Sequence, residues 1–247
     1  MKKLRVFSIL LTLTLLTGLL SPYAAASGSG SAILDGMQVQ AKAAILVDAD
    51  YDEVLYEQNA HEKMYPASIT KVMTCLLTLE AVDRGELTLE QVVTASSALH
   101  TGIGEGASTA DIKEGEQLRI IDLLYAALIP SGNEACNVLA EAVSGSVTEF
   151  VARMNARAAE LGMTHTRFVN ACGLDAEGHY SSARDVAVMS LALLRHPKIL
   201  EYSGIWMDTL RGGETQLTNT NKMLKSYAGI TGLKTGTTNG AGVCISA

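Results

Sequence analysis

Tyr65-Pro-Ala-Ser-Ile-Thr-Lys-Val-Met-Thr74 is the stretch where the chain changes its period. Upstream, Ala43 to Asp48 and Glu53 to Glu57 are apolar, β-favouring runs split by Asp48-Ala-Asp-Tyr-Asp52, a hairpin signal. From Ser68 onward the apolar positions fall at helical spacing, with Val72, Met73, Leu76 and Leu77 on one stripe, until Asp83-Arg-Gly85 stops the run. Further helical patterns follow at Leu118 to Leu128, Glu134 to Val143 and Val147 to Leu161, the last closed by Gly162. Ser182 to Arg195 reads as another, stopped by Pro197. Strand patterns then return at Gly204 to Leu210, Thr215 to Thr220, Ile230 to Thr235 and Ala241 to Ser246. Strands at both ends with helices between them predict an α+β fold, in which the terminal strands share a sheet and the central helices form a separate lobe.

The same stretch carries chemistry. Ser68 and Lys71 lie one helical turn apart, so an amine can serve as base to a hydroxyl. A helix N-terminus offers unsatisfied N–H groups to an oxyanion formed there. Taken alone, Ser68 reads as an ordinary N-cap and Lys71 as a surface lysine with its stem over Ala67 and Val72. Two further strings change that reading. Ser131-Gly-Asn133 follows Pro130 in a turn between helices, which can aim a hydroxyl and an amide into a cleft. Lys234-Thr-Gly236 ends an alternating strand and supplies a cation, with Gly236 allowing close backbone approach. Burial and a second cation nearby both ease the proton off an amine, so Lys71 can act neutral while Lys234 stays charged.

The order Ser68-Ile-Thr-Lys71, Ser131-Gly-Asn133, Lys234-Thr-Gly236 resembles the penicillin-binding and serine β-lactamase superfamily. The contexts Tyr65 to Thr74, Ile129-Pro-Ser-Gly-Asn-Glu-Ala-Cys136, His179-Tyr-Ser-Ser-Ala-Arg-Asp185 and Leu233 to Gly242 narrow it. They are similar to the low-molecular-mass penicillin-binding proteins that are serine-type D-alanyl-D-alanine carboxypeptidases, from about Met37 to the last residue. The resemblance implies a β-lactamase/transpeptidase-like fold, with a mainly antiparallel sheet built from both chain ends and the site at the seam with the helical lobe. It implies Ser68 as nucleophile, Lys71 as base and Ser131 as proton relay to the leaving amine. It further implies substrate binding by Asn133, Lys234, Thr235, Gly236 and Thr237, with the Ser68 and Thr237 N–H groups as oxyanion donors. Asn219 and Asn221 read as supporting structure, and His179 and Asp185 as a frame for the helix from Ser182.

At the N-terminus, Lys2, Lys3 and Arg5 precede an apolar run from Val6 to Leu20, then Pro22 and Ala24-Ala-Ala26. This is the pattern of a secretory signal over residues 1–26, followed by a Gly/Ser spacer over 27–36 and a catalytic domain over 37–247. The expected location is outside the cytoplasmic membrane. After such cleavage 16 basic residues face 26 acidic ones, a formal charge near −10, which disfavours nucleic acid as a partner. The five histidines show no zinc-ligand spacing, so no metal or other cofactor is expected. Cys75 and Cys136 lie on apolar helical faces and read as buried free thiols, Cys136 near Asn133.

The expected activity is removal of the terminal D-alanine from peptidoglycan stem peptides through a Ser68 acyl-enzyme, with β-lactams acylating the same serine. Two alternatives stay open. A class A β-lactamase needs a glutamate-activated water, and Thr164 to Gly178 has only Asp175 and Glu177 as carboxylates. A non-catalytic wall-binding module is the other. Members of the resembled family continue with a further strand, a closing helix and a membrane-anchoring segment, so residues 1–247 read as a truncated version of a longer enzyme, membrane-anchored only through such a segment.

Overall fold

The computed structural model describes residues 38–247, together with Gly36. The expected leader, nearly all of the spacer and Met37 lie outside the described residues. The chain opens with a hairpin, β1 (Ala44–Asp48) paired antiparallel with β2 (Glu53–Gln58). A 3₁₀ turn over Ala67–Thr70 then runs directly into α1 (Lys71–Asp83). Ten of the residues of α1 are buried, so this helix is the axle of the lobe rather than an amphipathic cover. Truncating Leu76, which is wholly buried, would cost about 2–5 kcal/mol.

Helices α2 (Ile120–Leu128), α3 (Asn133–Ser144), α4 (Val147–Glu160) and α5 (Ala183–Leu194) pack around α1. Their ends follow local chemistry. Ser146 Oγ accepts from Glu149 N at 3.1 Å and Ser182 Oγ from Asp185 N at 3.2 Å, each relieving an orphan donor of the first turn. Gly145 closes α3 at φ 78°, where a side chain would be strained. On α4, Phe150, Met154 and Ala158 repeat every fourth residue and form its buried stripe.

Four short elements escape the sequence pattern. Strands β3 (Val92–Thr94) and β4 (Gln117–Arg119) pair antiparallel, so the expected helix from Leu118 starts only at Ile120. Leu118 is buried between two exposed neighbours, a period of two that ends when the helix begins. Helix α6 (Lys198–Ser203) follows Pro197, and a short α7 (Met223–Ser226) follows the hairpin of β5 (Met207–Leu210) with β6 (Thr215–Thr218).

The last hairpin pairs β7 (Lys234–Thr238) with β8 (Gly242–Ser246). Here the sequence expectation needs correction: Lys234-Thr-Gly236 opens its strand rather than ending one. Gly229 and Gly232 take φ of 101° and 141°, which breaks the extended run predicted over 230–233. All pairings among the described residues are antiparallel and the fold is α+β, as expected. The ladders from the two chain ends are nonetheless separate two-stranded pairs among the described residues. They meet through α5, which touches both β1 and β8 and joins the latter by Ser190 Oγ to Ser246 Oγ at 2.8 Å. On β8, Val243 faces solvent almost fully.

Candidate active site

The turn before α1 delivers Ser68 half-buried at the surface and Lys71 wholly inside. Lys71 Nζ lies 2.9 Å from Ser68 Oγ, 2.7 Å from Asn133 Oδ1 and 2.8 Å from the Cys172 carbonyl. An ammonium group fills these acceptors with its three protons. A neutral amine keeps two donors for Asn133 and Cys172 and turns its lone pair to the Ser68 hydroxyl. The arrangement therefore serves both protonation states without moving a heavy atom.

Cys172 is brought there by a folded loop. Asn170 Oδ1 accepts from Cys172 N at 3.2 Å and Gly173 N at 2.7 Å, while its Nδ2 donates to Leu174 O at 2.8 Å. Gly173, at φ +92°, passes so close that a Cβ would run into the Ala67 carbonyl and the Thr70 hydroxyl. His179 braces the same junction. Its Nδ1 accepts from Val169 N at 3.0 Å, which leaves the ring proton on Nε2, 3.0 Å from Thr70 Oγ1. Burial draws the His179 pKa down to about 4, so the ring stays neutral.

Ser131 adopts φ 66°, and its buried Oγ finds no partner among the described residues. The turn around it is seated firmly: Gly132 N donates to Ala126 O at 2.8 Å and Asn133 N to Ser108 O at 3.0 Å. The buried carboxylate of Glu134 accepts from Thr109 Oγ1 and Ala110 N, each at 2.6 Å, clamping the facing loop.

On the strand side, Lys234 is 1% exposed. Its Nζ donates to the Thr235 carbonyl at 2.7 Å and Thr220 Oγ1 at 3.5 Å; the Thr220 and Thr235 hydroxyls lie 2.6 Å apart. Burial first, and the Lys71 charge second, draw the Lys234 pKa from 10.5 to about 7, so its charge in the free site is less secure than the sequence suggested. A Cβ on Gly236 would stand 2.8 Å from Ser68 N and 2.9 Å from Ala67 Cβ, so only glycine lets β7 lie against the Ser68 turn. Thr237 follows, exposed.

Thus Ser68, Lys71 and Asn133 are bonded directly, Gly236 abuts Ser68, and Lys234 reaches Thr235. Ser131 and Lys234 make no hydrogen bond to Ser68 or Lys71. Sequence reasoning missed the Cys172 carbonyl, the Thr220 hydroxyl and the organising Asn170, although Asn170-Ala-Cys-Gly173 has turn composition. Asn219 and Asn221 bond the backbone at Ser203, Ile205 and Gly232, a supporting role. Asp185 accepts from His165 N and Thr166 Oγ1 beside α5. Asp175 is engaged too: its carboxylate accepts from Thr238 Oγ1 at 2.7 Å and Gly240 N at 2.9 Å. The four cysteines are free; Cys136 is sealed in the core, donates to Gly132 O at 3.5 Å, and is pushed by burial well above the usual thiol range.

The profile of the family described as D-alanyl-D-alanine carboxypeptidase matches residues 30–247. The chain belongs to this family. Among relatives of this carboxypeptidase-family chain, D-alanyl-D-alanine carboxypeptidase DacF of Bacillus subtilis is 41% identical over 84% of it and 54% of that protein. Penicillin-binding protein 5 of Haemophilus influenzae superposes with a TM-score of 0.79 at 30% identity, over 84% of this chain and 60% of that one. Penicillin-binding protein D2 of Listeria monocytogenes, in its cefotaxime-bound form, gives 0.75 at 35% identity, over 84% and 83%. The chain spans about half the length of the curated relatives it matches. Among its described residues, no group of three or more His, Cys, Asp or Glu could hold a metal ion, and no helix is long and apolar enough to cross a membrane. A surface cleft at the far end of α1, lined by Glu80, Arg84, Arg153, Arg157 and Glu160, is a web of ion pairs remote from Ser68.

Proposed function

We propose that this chain carries the catalytic machinery of a serine-type D-Ala-D-Ala carboxypeptidase acting on peptidoglycan stem peptides outside the cytoplasmic membrane. The observation that carries the reading is the Lys71 amine 2.9 Å from Ser68 Oγ, held from behind by Asn133 and Cys172. Neutral Lys71 takes the Ser68 proton as Oγ attacks the penultimate D-alanine carbonyl. The oxyanion meets the N–H groups of Ser68 and Thr237, each such donor being worth about 3 kcal/mol in the transition state. Ser131 passes the proton to the leaving amine, terminal D-alanine departs, and water releases the acyl group from Ser68. The substrate carboxylate docks on Lys234 and Thr235 or Thr237, and its negative charge draws Lys234 back to the protonated form. β-Lactams present the same carboxylate and acyl carbon, and acylate Ser68.

The engagement of both Asp175 oxygens supports the carboxypeptidase reading over a β-lactamase one, because a water-activating carboxylate must be free to take a proton. The test is incubation with a fluorescent penicillin. Wild-type protein acquires one label on Ser68 by mass, Ser68→Ala acquires none, and D-alanine is released from a diacyl-D-Ala-D-Ala peptide. Undiminished labelling of Ser68→Ala, or rapid cephalosporin turnover without D-alanine release, would overturn the proposal.

A further inference from the structure

We infer that Asp175 is a positioning residue, which ties the loop that holds Lys71 to the turn that ends the catalytic strand; the inference rests on the reading of Ser68 and Thr237 just given. The loop over 170–175 has two ends with different duties. At one end the Cys172 carbonyl accepts from Lys71 Nζ at 2.8 Å, and Gly173 presses on the turn bearing Ser68. At the other end the Asp175 carboxylate takes the Thr238 hydroxyl and the Gly240 N–H. Thr238 Oγ1 in turn accepts from Ala241 N at 3.0 Å, so one carboxylate organises the whole β7–β8 connection. The fit is close: a Cβ on Gly240 would stand 2.8 Å from Asp175 Oδ2 and 2.8 Å from the Tyr65 ring. Thr237 is the residue before Thr238, and its partner across the ladder, Val243, lies just past the same turn. On β8 Cys244 packs against the core while Val243 is 86% and Ile245 47% exposed, so the carboxylate adds a fixed point where packing is thin.

The hydrogen bonds, rather than the charge, do the positioning. An asparagine can accept from Gly240 N through Oδ1 and donate to Thr238 Oγ1 through Nδ2, with the threonine hydroxyl turned away. Alanine keeps neither contact. The readout is acylation by benzylpenicillin, split into the initial dissociation constant and the acylation rate constant. Oxyanion alignment matters only in the transition state, so the rate constant carries the effect. Asp175→Ala is expected to lower it about tenfold with initial binding little changed, a fraction of the hundredfold that a 1 Å misplacement can cost. Asp175→Asn is expected to recover most of that loss. A wild-type acylation rate in Asp175→Ala, a loss confined to initial binding, or an Asp175→Asn as slow as the alanine variant would each overturn the inference. Amide exchange at Gly240 and Ala241 provides a readout independent of chemistry. Gly240 is expected to exchange about tenfold faster in Asp175→Ala, since its N–H loses its acceptor, and Ala241 to a smaller extent, since the Thr238 hydroxyl that accepts from it loses its own anchor; unchanged exchange at Gly240 overturns the inference. A wild-type protein that takes no penicillin overturns the reading of Ser68 instead, and the Asp175 contact is then judged on exchange alone.

Discussion

On the helical side of the cleft Lys71 Nζ has three acceptors within 2.9 Å, whereas on the strand side Lys234 has one close partner and a second at 3.5 Å. Both amines are equally buried. What differs is how much of their hydrogen-bonding capacity the protein itself consumes. The pair proposed to move a proton is fully bonded before any ligand arrives, and its geometry is over-determined by the 170–175 loop, His179 and Asn133. The lysine proposed to receive a carboxylate is left with donor capacity and a weakened hold on its charge, which a bound carboxylate would complete. Preorganisation is spent where a bond is made, and adaptability is left where a ligand is collected.

The hardest blow to the finished side is removal of its base. Lys71→Ala is expected to slow penicillin acylation by about 10²–10⁴-fold, the usual contribution of a positioned base, measured by stopped-flow or timed quenching. A loss under tenfold would mean that another group takes the Ser68 proton. Next comes the contact between the two sides. Gly236→Ala puts a methyl 2.8 Å from Ser68 N, and the strand must move off the turn. Acylation is expected to fall by about a hundredfold, while the helical lobe keeps its far-ultraviolet circular dichroism.

The braces of the helical side set a pH limit. His179 has its pKa lowered to about 4 from 6.5, so the unfolded chain takes the proton first as pH falls. The stability from this group is complete above pH 6.5 and is lost as pH drops toward 4, a change of about 3 kcal/mol. Urea midpoints for wild type and His179→Gln should converge at low pH; parallel curves would show that the ring does not titrate there. The strand side responds in the opposite range and more gently. Lys234, with its pKa near 7, loses its charge as pH rises, so KM for carboxylate substrates should climb from about pH 7 upward while kcat holds. Stability has the reverse sign, because the unfolded chain holds that proton up to 10.5, and it increases across the same window. A KM independent of pH between 7 and 10 would place the carboxylate elsewhere.

Which parts were readable follows from what a sequence can encode. Ser68 and Lys71 carry their chemistry in their side chains, and helical spacing was enough to bring them together, whereas Asn133 and Lys234 were expected beside them only from the family resemblance. The third acceptor of Lys71 is a backbone carbonyl, which every residue possesses, so nothing in the name Cys172 announces it. Asp175 was visible as a carboxylate but not as a tether, because Thr238 and Gly240 lie 63 and 65 residues further on. The long helices were legible from their apolar period, with boundaries near the observed ones. The β3–β4 pair was not, since three-residue strands are too short to show alternation. The start of β7 was misjudged because alternation continued through Gly232, whose φ of 141° the hydropathy pattern does not register.

Ser131 has a wider consequence for which molecules this cleft welcomes. A hydroxyl shut away from solvent, on a backbone twisted to φ 66°, carries a debt of about 1–3 kcal/mol when no group answers it. A ligand that brings a nitrogen or oxygen to that spot is expected to offset the cost of the unpaired hydroxyl, and one that brings carbon is not. In the proposed mechanism the turn would then grade ligands by whether they offer a heteroatom beside the scissile bond, before any covalent step begins.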